Sequence, residues 1–275
     1  MRLGSKSSKK RDSDKLNAIV EERKYLLTAQ NDFFLTEAYK ALRTNVVFSL
    51  TGESACKVIT VTSSMQSEGK TTTAVNLGLS FAAADKRVLI VDCDMRKPKL
   101  ARLLQMNAPA GLSNILIEPQ LLDSAVLQYA DTNMKVILAG NIPPNPSELL
   151  ASSRMINFLE KMKQDYDYII LDSPPINMVT DAVILGNQTD GVLFVVRAGH
   201  AERGAVQHAL DQLEYAHAKI LGFVLNGTIM EGRSYGRYGR YGYKRYGYGY
   251  KRYGYGYGYR QHQDQQEQAG AEEQP

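Results

Sequence analysis

Tryptophan is absent from the 275 residues, and cysteine occurs only at Cys56 and Cys93. These two form no CxxC pair, so neither a disulfide framework nor a zinc site is indicated, and they read as two reduced thiols. The four histidines, His200, His208, His217 and His262, lie far apart, and surface positions are expected for all of them. No apolar run reaches the ~18–20 residues that a membrane-crossing helix needs. The opening stretch MRLGSKSSKKRDSDK is charged but has no hydrophobic segment behind it, so it does not read as a secretory signal. Its basic residues alone would attach it only weakly to an anionic membrane surface. These absences point to a cytoplasmic protein.

Acid is also missing from long stretches at both ends. Residues 1–11 hold five Lys or Arg before the first acid, Asp12, and residues 232–260 hold eight with no acid at all. The formal net charge of +4 conceals this crowding, because the last fifteen residues turn acidic. The 44% hydrophobic and 23% charged fractions are those of a globular domain with additions. The expected organisation is a flexible basic arm over 1–32, a folded domain over 33–230 that begins with a helix about 35–50, and a disordered tail over 231–275.

That tail concentrates eleven of the seventeen tyrosines: Tyr235, Tyr238, Tyr241, Tyr243, Tyr246, Tyr248, Tyr250, Tyr253, Tyr255, Tyr257 and Tyr259. They alternate with glycine, lysine and arginine, which leaves no aliphatic partners to bury and hence no core.

Between the ends the chain repeats one unit: strand, loop, helix. KVITVTS, RVLIVDCD, MKVILAG, DYIILDS, GVLFVVRA and KILGFVLNG are apolar runs of strand length. Helical patterns lie at Phe33–Leu50, where Leu35, Ala38, Leu42 and Val46 recur at helical spacing, over residues 72–84, and near Ser147–Lys163, Asp181–Asn187 and Ala201–His217. Continuous apolar strands alternating with helices predict an α/β fold, a mainly parallel sheet covered by helices on both faces. Ligands in such folds bind beyond the carboxyl ends of the strands.

The residues following those ends carry the chemistry. SSMQSEGKTTT follows the first strand and matches the end of the phosphate-loop pattern GxxxxGK[ST], with Ser64 where the pattern has its first glycine. Backbone N–H groups of Ser67, Glu68, Gly69, Lys70, Thr71 and Thr72 are placed to wrap phosphate at a helix N-terminus, where the dipole favours negative charge. Lys70 supplies a cation, and the Thr71 hydroxyl a Mg²⁺ ligand. VLIVDCDMR ends a strand with Asp92 and Asp94, and YIILDSPP ends another with Asp172. Carboxylates at a buried strand end call for a cation, and Mg²⁺ held against ATP phosphates meets that need.

Together, the phosphate loop, LIVDCDMR (Leu89 to Arg96) and IILDSPP (Ile169 to Pro175) resemble the Walker A, A′ and B motifs of bacterial tyrosine kinases (BY-kinases) of the capsular and exopolysaccharide type. GNIPPNPSELLAS, TDAVILGNQTDGVLFVVRAG and the tyrosine-cluster tail resemble that family too, over residues 33–260 in all. Partition-type ATPases share the architecture but carry a lysine where this chain has Met65.

The resemblance implies a P-loop fold and an ATP-dependent protein-tyrosine autokinase that modifies its own tail, in trans within an oligomer, to control polysaccharide synthesis and export. It implies Lys70, Asp92, Asp94 and Asp172 as catalytic, and Thr71, Asp94 and Asp172 around Mg²⁺. Asp92 is the best candidate to take the tyrosine proton or orient its hydroxyl, although the sequence leaves the division of roles between Asp92 and Asp94 open. Arg96 either neutralises transition-state charge or pairs with a neighbouring acid. Asn226 either contacts adenine or simply ends a strand.

EAYKALR places Glu37, Lys40 and Arg43 at the family's E-x-x-R-x-x-R oligomerisation motif, with Lys40 in place of the middle arginine. A homo-oligomer, ring-shaped in the family, a membrane-embedded activator that recruits the chain to the inner face of the membrane, and a cognate tyrosine phosphatase are the implied partners. Nucleic acid is not expected. The competing reading is a partition-type ATPase whose tyrosine-rich basic tail binds single-stranded nucleic acid or self-associates.

Overall fold

Aliphatic runs too continuous for a half-wet sheet require cover on both faces, and the central strands have it, whereas the last strand leaves Phe223 and Leu225 exposed. The computed structural model describes residues 21–27, 33–50, 52 and 54–228; the tail tyrosines and most of the basic arm lie outside them. In chain order the elements are α1 (Phe33–Ser49), β1 (Lys57–Ser63), α2 (Lys70–Ala82), β2 (Val88–Asp92), α3 (Leu100–Leu104), α4 (Leu112–Ile117), α5 (Leu122–Ala125), β3 (Val126–Gln128), β4 (Met134–Ile137), α6 (Pro146–Ala151), α7 (Ser153–Met162), β5 (Tyr168–Asp172), α8 (Asp181–Gly186), β6 (Gly191–Arg197), α9 (Arg203–Tyr215) and β7 (Ile220–Asn226).

The strands form one seven-stranded sheet in the order β3-β4-β2-β5-β1-β6-β7. All neighbours are parallel except β3 and β4, which are antiparallel. Side chains alternate across the strands. Ile59, Val61, Ile90 and Ile170 pack with Leu77 and Phe81 of α2 and Leu103 of α3. Val58, Leu89, Val91, Ile169 and Leu171 pack with Leu112 of α4 and Phe158 of α7. A third cluster joins Val192 and Phe194 of β6 to Ala182 of α8 and Leu213 of α9. Thr60 and Thr62 register beside Val192 and Phe194. Both hydroxyls are satisfied, Thr60 against Thr189 Oγ1 at 3.2 Å and Thr62 by donating to Pro174 O at 2.9 Å. The helix α2 lies close on the sheet because it has Gly78, where a Cβ would sit 2.7 Å from Ile90 Cδ1.

Three details depart from the sequence reading. The helix expected at Ser147–Lys163 is two, α6 and α7, broken at Ser152, whose ψ of 156° is extended. The short antiparallel strand β3 carried no pattern long enough to read. On α1 the expected stripe of Leu35, Ala38, Leu42 and Val46 holds except at Ala38, which is exposed while the neighbouring Tyr39 is half-buried. Burial raises the Tyr39 pKa, opposed by hydrogen bonds with Asn76 and Thr73. Both cysteines are free and buried. Burial foremost pushes the Cys56 thiol up to about 11, which fits inert thiols. Among the described residues, no helix is long and apolar enough to cross a membrane.

At the amino-terminal edge of the sheet, Asp167 accepts the Arg87 N–H and its Nη2–H, both at 2.8 Å. These bonds, more than the Arg87 charge, hold the Asp167 pKa below its ordinary value. A depressed carboxyl stabilises the fold above its unfolded pKa and stops doing so as pH falls through the folded one. Melting curves should therefore separate wild type from Asp167→Asn at neutral pH and converge below about pH 4. A difference that persists in acid would show that the contact acts through packing instead.

Candidate active site

The parallel order brings the carboxyl ends of β2, β5 and β1 side by side at the centre of the sheet. Asp92 registers beside Asp172, and Asp172 beside Val61 of β1. Beyond β1 the chain turns through the loop of residues 63–69 and enters α2, whose helical bonding opens with Thr73 N–H to Gly69 O at 2.9 Å. Two left-handed residues shape the turn, Ser67 at φ 64° and Gly69 at φ 93°. Only glycine adopts the second freely.

The serine at the pattern's first glycine is not a defect. Ser64 Oγ donates to both Glu68 carboxylate oxygens, at 3.0 and 3.1 Å, and Met65 N–H donates to Oε2 at 3.1 Å. Ser64 and Glu68 are fully buried, so the loop is braced from within by its own side chains. Sequence reasoning gave Glu68 only a backbone role. The signal that would have found the brace was the serine standing in the glycine's place four residues before an acid.

Lys70 opens α2 with its side chain buried, Nζ lying 3.4 Å from Asp94 Oδ2 and 3.5 Å from Asp172 Oδ1. Burial works to lower its pKa, but the charges of Asp172, Asp94 and Asp92 outweigh burial and raise it. Asp172 is fully buried, and burial raises its pKa against the Lys70 charge and the Thr71 hydroxyl. Neither of its oxygens accepts a well-formed hydrogen bond from a described residue. One cation thus faces three carboxylates in a closed space.

Asp92 and Asp94, alike in sequence, differ in place. Asp92 accepts Asp94 N–H at 3.1 Å and Leu100 N–H at 3.2 Å, so its carboxylate is used in the turn that carries Asp94. Its burial, then the Asp172 charge, raise its pKa to about 8. Asp94 accepts Lys97 N–H at 3.0 Å. It lines a cleft of ≈ 130 Å³ together with Lys70, Ser67, Lys97, Pro175 and Met178. Arg96 forms an ion pair at the cleft: its Nε and Nη2 donate to the fully buried Asp181 at 3.0 and 3.2 Å. Nη2 also donates to Ser147 Oγ at 2.8 Å, and that hydroxyl donates to Asp181 Oδ1 at 2.6 Å. Sequence reasoning left Asp181 and Ser147 unassigned.

Thr71 is buried beside Lys70, and Thr72 is half-buried. Asn226, at the end of β7, donates from Nδ2 to Glu68 O at 2.9 Å and accepts Gly227 N–H at 2.9 Å. The structure thus gathers every expected nucleotide-site residue at one sheet edge. Glu37, Lys40 and Arg43 lie apart, on α1. Glu37 and Lys40 pair with each other at 2.8 Å on the surface, whereas the Arg43 guanidinium donates to Ser80 O of α2.

The donor set suits Mg²⁺. The two unsatisfied oxygens of Asp172, the carboxylate of Asp94 and the Thr71 hydroxyl are hard ligands. Among the described residues, no group of three or more His, Cys, Asp or Glu forms a metal cage of its own.

Comparison with known proteins agrees with this geometry. The family described as an AAA domain matches residues 56–220. Tyrosine-protein kinase YwqD of Bacillus subtilis (strain 168) is 36% identical over 209 residues, covering 76% of this chain and 87% of that protein. Tyrosine-protein kinase CpsD of Streptococcus agalactiae is 35% identical over 207 residues, covering 75% and 89%. Among solved structures, the kinase domain of Escherichia coli tyrosine kinase ETK aligns with a TM-score of 0.67 at 31% identity, over 81% of this chain and 80% of that one.

Proposed function

The chain belongs to the bacterial tyrosine-kinase family, and from that premise we propose that it transfers the γ-phosphoryl group of ATP to its own C-terminal tyrosines, in trans within an oligomer. The observation that carries the reading is the Lys70 ammonium, buried at a helix N-terminus within 3.5 Å of Asp94 and Asp172. Phosphoryl transfer needs positioning and charge stabilisation more than covalent chemistry, and this is an arrangement of fixed charges.

In the proposed reaction the tyrosine phenol oxygen bonds to the γ-phosphorus, the bond to the bridging β-phosphate oxygen breaks, and ADP departs with that electron pair. The phenol proton passes to a carboxylate. Of the two acids whose roles the sequence left open, Asp94 stands on the cleft wall, whereas Asp92 is fully buried and braces the following turn by accepting two backbone N–H groups. Thr71, Asp94 and Asp172 would hold Mg²⁺, which when bound offsets the negative charge of the phosphates. Lys70 would offset the charge that moves with the γ-phosphoryl oxygens through transfer.

The tail of residues 231–275 carries the proposed acceptor tyrosines and would serve a neighbouring subunit. Its eight basic residues would be neutralised by roughly four or five phosphotyrosines, so modification reverses the sign of the segment. The same reading places the protein in the cytoplasm, docked through α1 contacts into an oligomer and held at the membrane by an activator protein. There it would control capsular or exopolysaccharide synthesis, with a phosphatase resetting the tail.

The decisive experiment mixes a full-length Lys70→Met chain with an active chain truncated after Thr228, adding labelled ATP, Mg²⁺ and the activator's cytoplasmic segment. Label on the tail of the inert chain is the expected result. An unlabelled tail, with ATP still hydrolysed, would refute transfer in trans. It would equally favour a partition-type ATPase if full-length wild type also stayed free of phosphotyrosine.

A further inference from the structure

The groups that point into the phosphate loop explain nucleotide binding; those that point out of it are held by a second set of side chains. Three consecutive carbonyls face outward, and each meets a donor. Gln66 O lies 3.2 Å from His200 Nε2, Ser67 O accepts Arg197 Nη1–H at 2.9 Å, and Glu68 O accepts Asn226 Nδ2–H at 2.9 Å. The donors come from the rim of two adjacent strands. Arg197 ends β6, Asn226 ends β7, the two residues are register partners, and His200 lies in the turn that follows.

A peptide unit is planar, with its carbonyl and N–H directed oppositely. Fixing the carbonyls of Gln66, Ser67 and Glu68 therefore fixes the N–H groups of Ser67, Glu68 and Gly69, which are the ones a bound polyphosphate would use. The loop needs such restraint, because Ser67 is a non-glycine residue at φ 64°, a conformation that persists only where surroundings enforce it. Gly69 gives Asn226 its place: a Cβ there would lie 1.9 Å from Asn226 Nδ2.

We propose that Asn226, Arg197 and His200 are positioning residues that aim the phosphate-loop N–H groups, so that affinity for polyphosphate, independent of the base, depends on the β6–β7 rim. The inference rests on the nucleotide reading above and deepens it. It differs from an adenine contact by Asn226 in what is recognised: a base contact discriminates adenine from guanine, whereas an aimed loop serves any pyrophosphate.

The test is calorimetric titration of the full chain, in Mg²⁺, with inorganic pyrophosphate, ADP and GDP, alongside the melting temperature of the unliganded protein. Asn226→Ala removes the donor without changing charge. It is expected to weaken pyrophosphate and ADP by the same factor, about tenfold for one lost hydrogen bond to an organised backbone. The ADP-to-GDP ratio should be unchanged. Arg197→Met, at an exposed position, should do the same, with Arg197→Lys restoring part of the loss. This pair carries the test if Asn226→Ala fails to fold. Loss of ADP affinity with pyrophosphate untouched would overturn the inference in favour of an adenine contact. A lowered melting temperature with all three affinities intact would overturn it in favour of a purely structural brace. Should the wild-type chain bind neither pyrophosphate nor ADP, the nucleotide reading itself would fall.

Discussion

Lys70→Met is expected to reduce tyrosine phosphorylation by about a thousandfold or more, since one fixed charge at a phosphoryl-transfer site contributes on that scale. Methionine keeps much of the lysine's length, so packing around α2 should survive while the cation disappears. The substitution should also leave a second signature. In the wild-type chain the Asp92 pKa is already raised to about 8, by burial first and then by Asp172, with Lys70 acting to lower it. A raised carboxyl stabilises the fold fully below its unfolded pKa, near 4, and that contribution disappears as pH rises through the folded value. Stability of the unliganded protein should therefore decline between about pH 4 and pH 8, and removing Lys70 should steepen the decline. Melting curves across that range, with a labelled-ATP assay at neutral pH, check both halves. A mutant as inactive as expected but with a wild-type pH profile would mean that the Lys70 charge does not govern the titration of Asp92.

Much of this was legible beforehand because the relevant signals are local. Continuous apolar strands report a sheet buried on both faces, and Asp92, Asp94 and Asp172 are conspicuous because each follows such a strand. The parallel topology then does the rest, since β5 lies between β1 and β2 and the carboxyl ends of all three share one edge. What stayed hidden depends on pairing across long sequence distances. Arg96 meets Asp181 across the edge, and nothing in either local pattern announces the partner. Asn226 and Arg197 reach the loop only because β6 and β7 extend the sheet on that side. Asp92 and Asp94 could not be told apart because a two-residue alternation in an extended chain gives both the same direction. The chain leaves the strand at Asp92, and the turn that follows puts one carboxylate behind the cleft and the other at its wall. For α1 the stripe missed the polar contacts beside it: Tyr39 and Arg43 reach α2 through polar groups, which an apolar stripe cannot register.

Asp172→Asn should separate activity from stability in opposite directions. The Asp172 carboxylate is fully buried, accepts no well-formed hydrogen bond from any described residue, and shares one lysine with two other acids. An ionised group so placed strains the unliganded fold, and its raised pKa expresses that strain. An amide of the same shape carries no charge to desolvate, leaves Lys70 beside Asp94, and brings an N–H that can donate to a neighbouring carboxylate. The unliganded variant should therefore be more stable than wild type by about 1 kcal/mol, seen as a melting temperature raised by roughly 2–4 °C. In the same protein the Mg²⁺-dependent melting shift on adding ADP should shrink towards zero, because that shift measures affinity for the folded state. Tyrosine phosphorylation should drop by about two to three orders of magnitude. The alternative outcome is as informative. If Asp172→Asn melts below wild type while losing activity, then Lys70 already compensates all three acids, and the site holds no electrostatic strain for a metal-bound nucleotide to relieve.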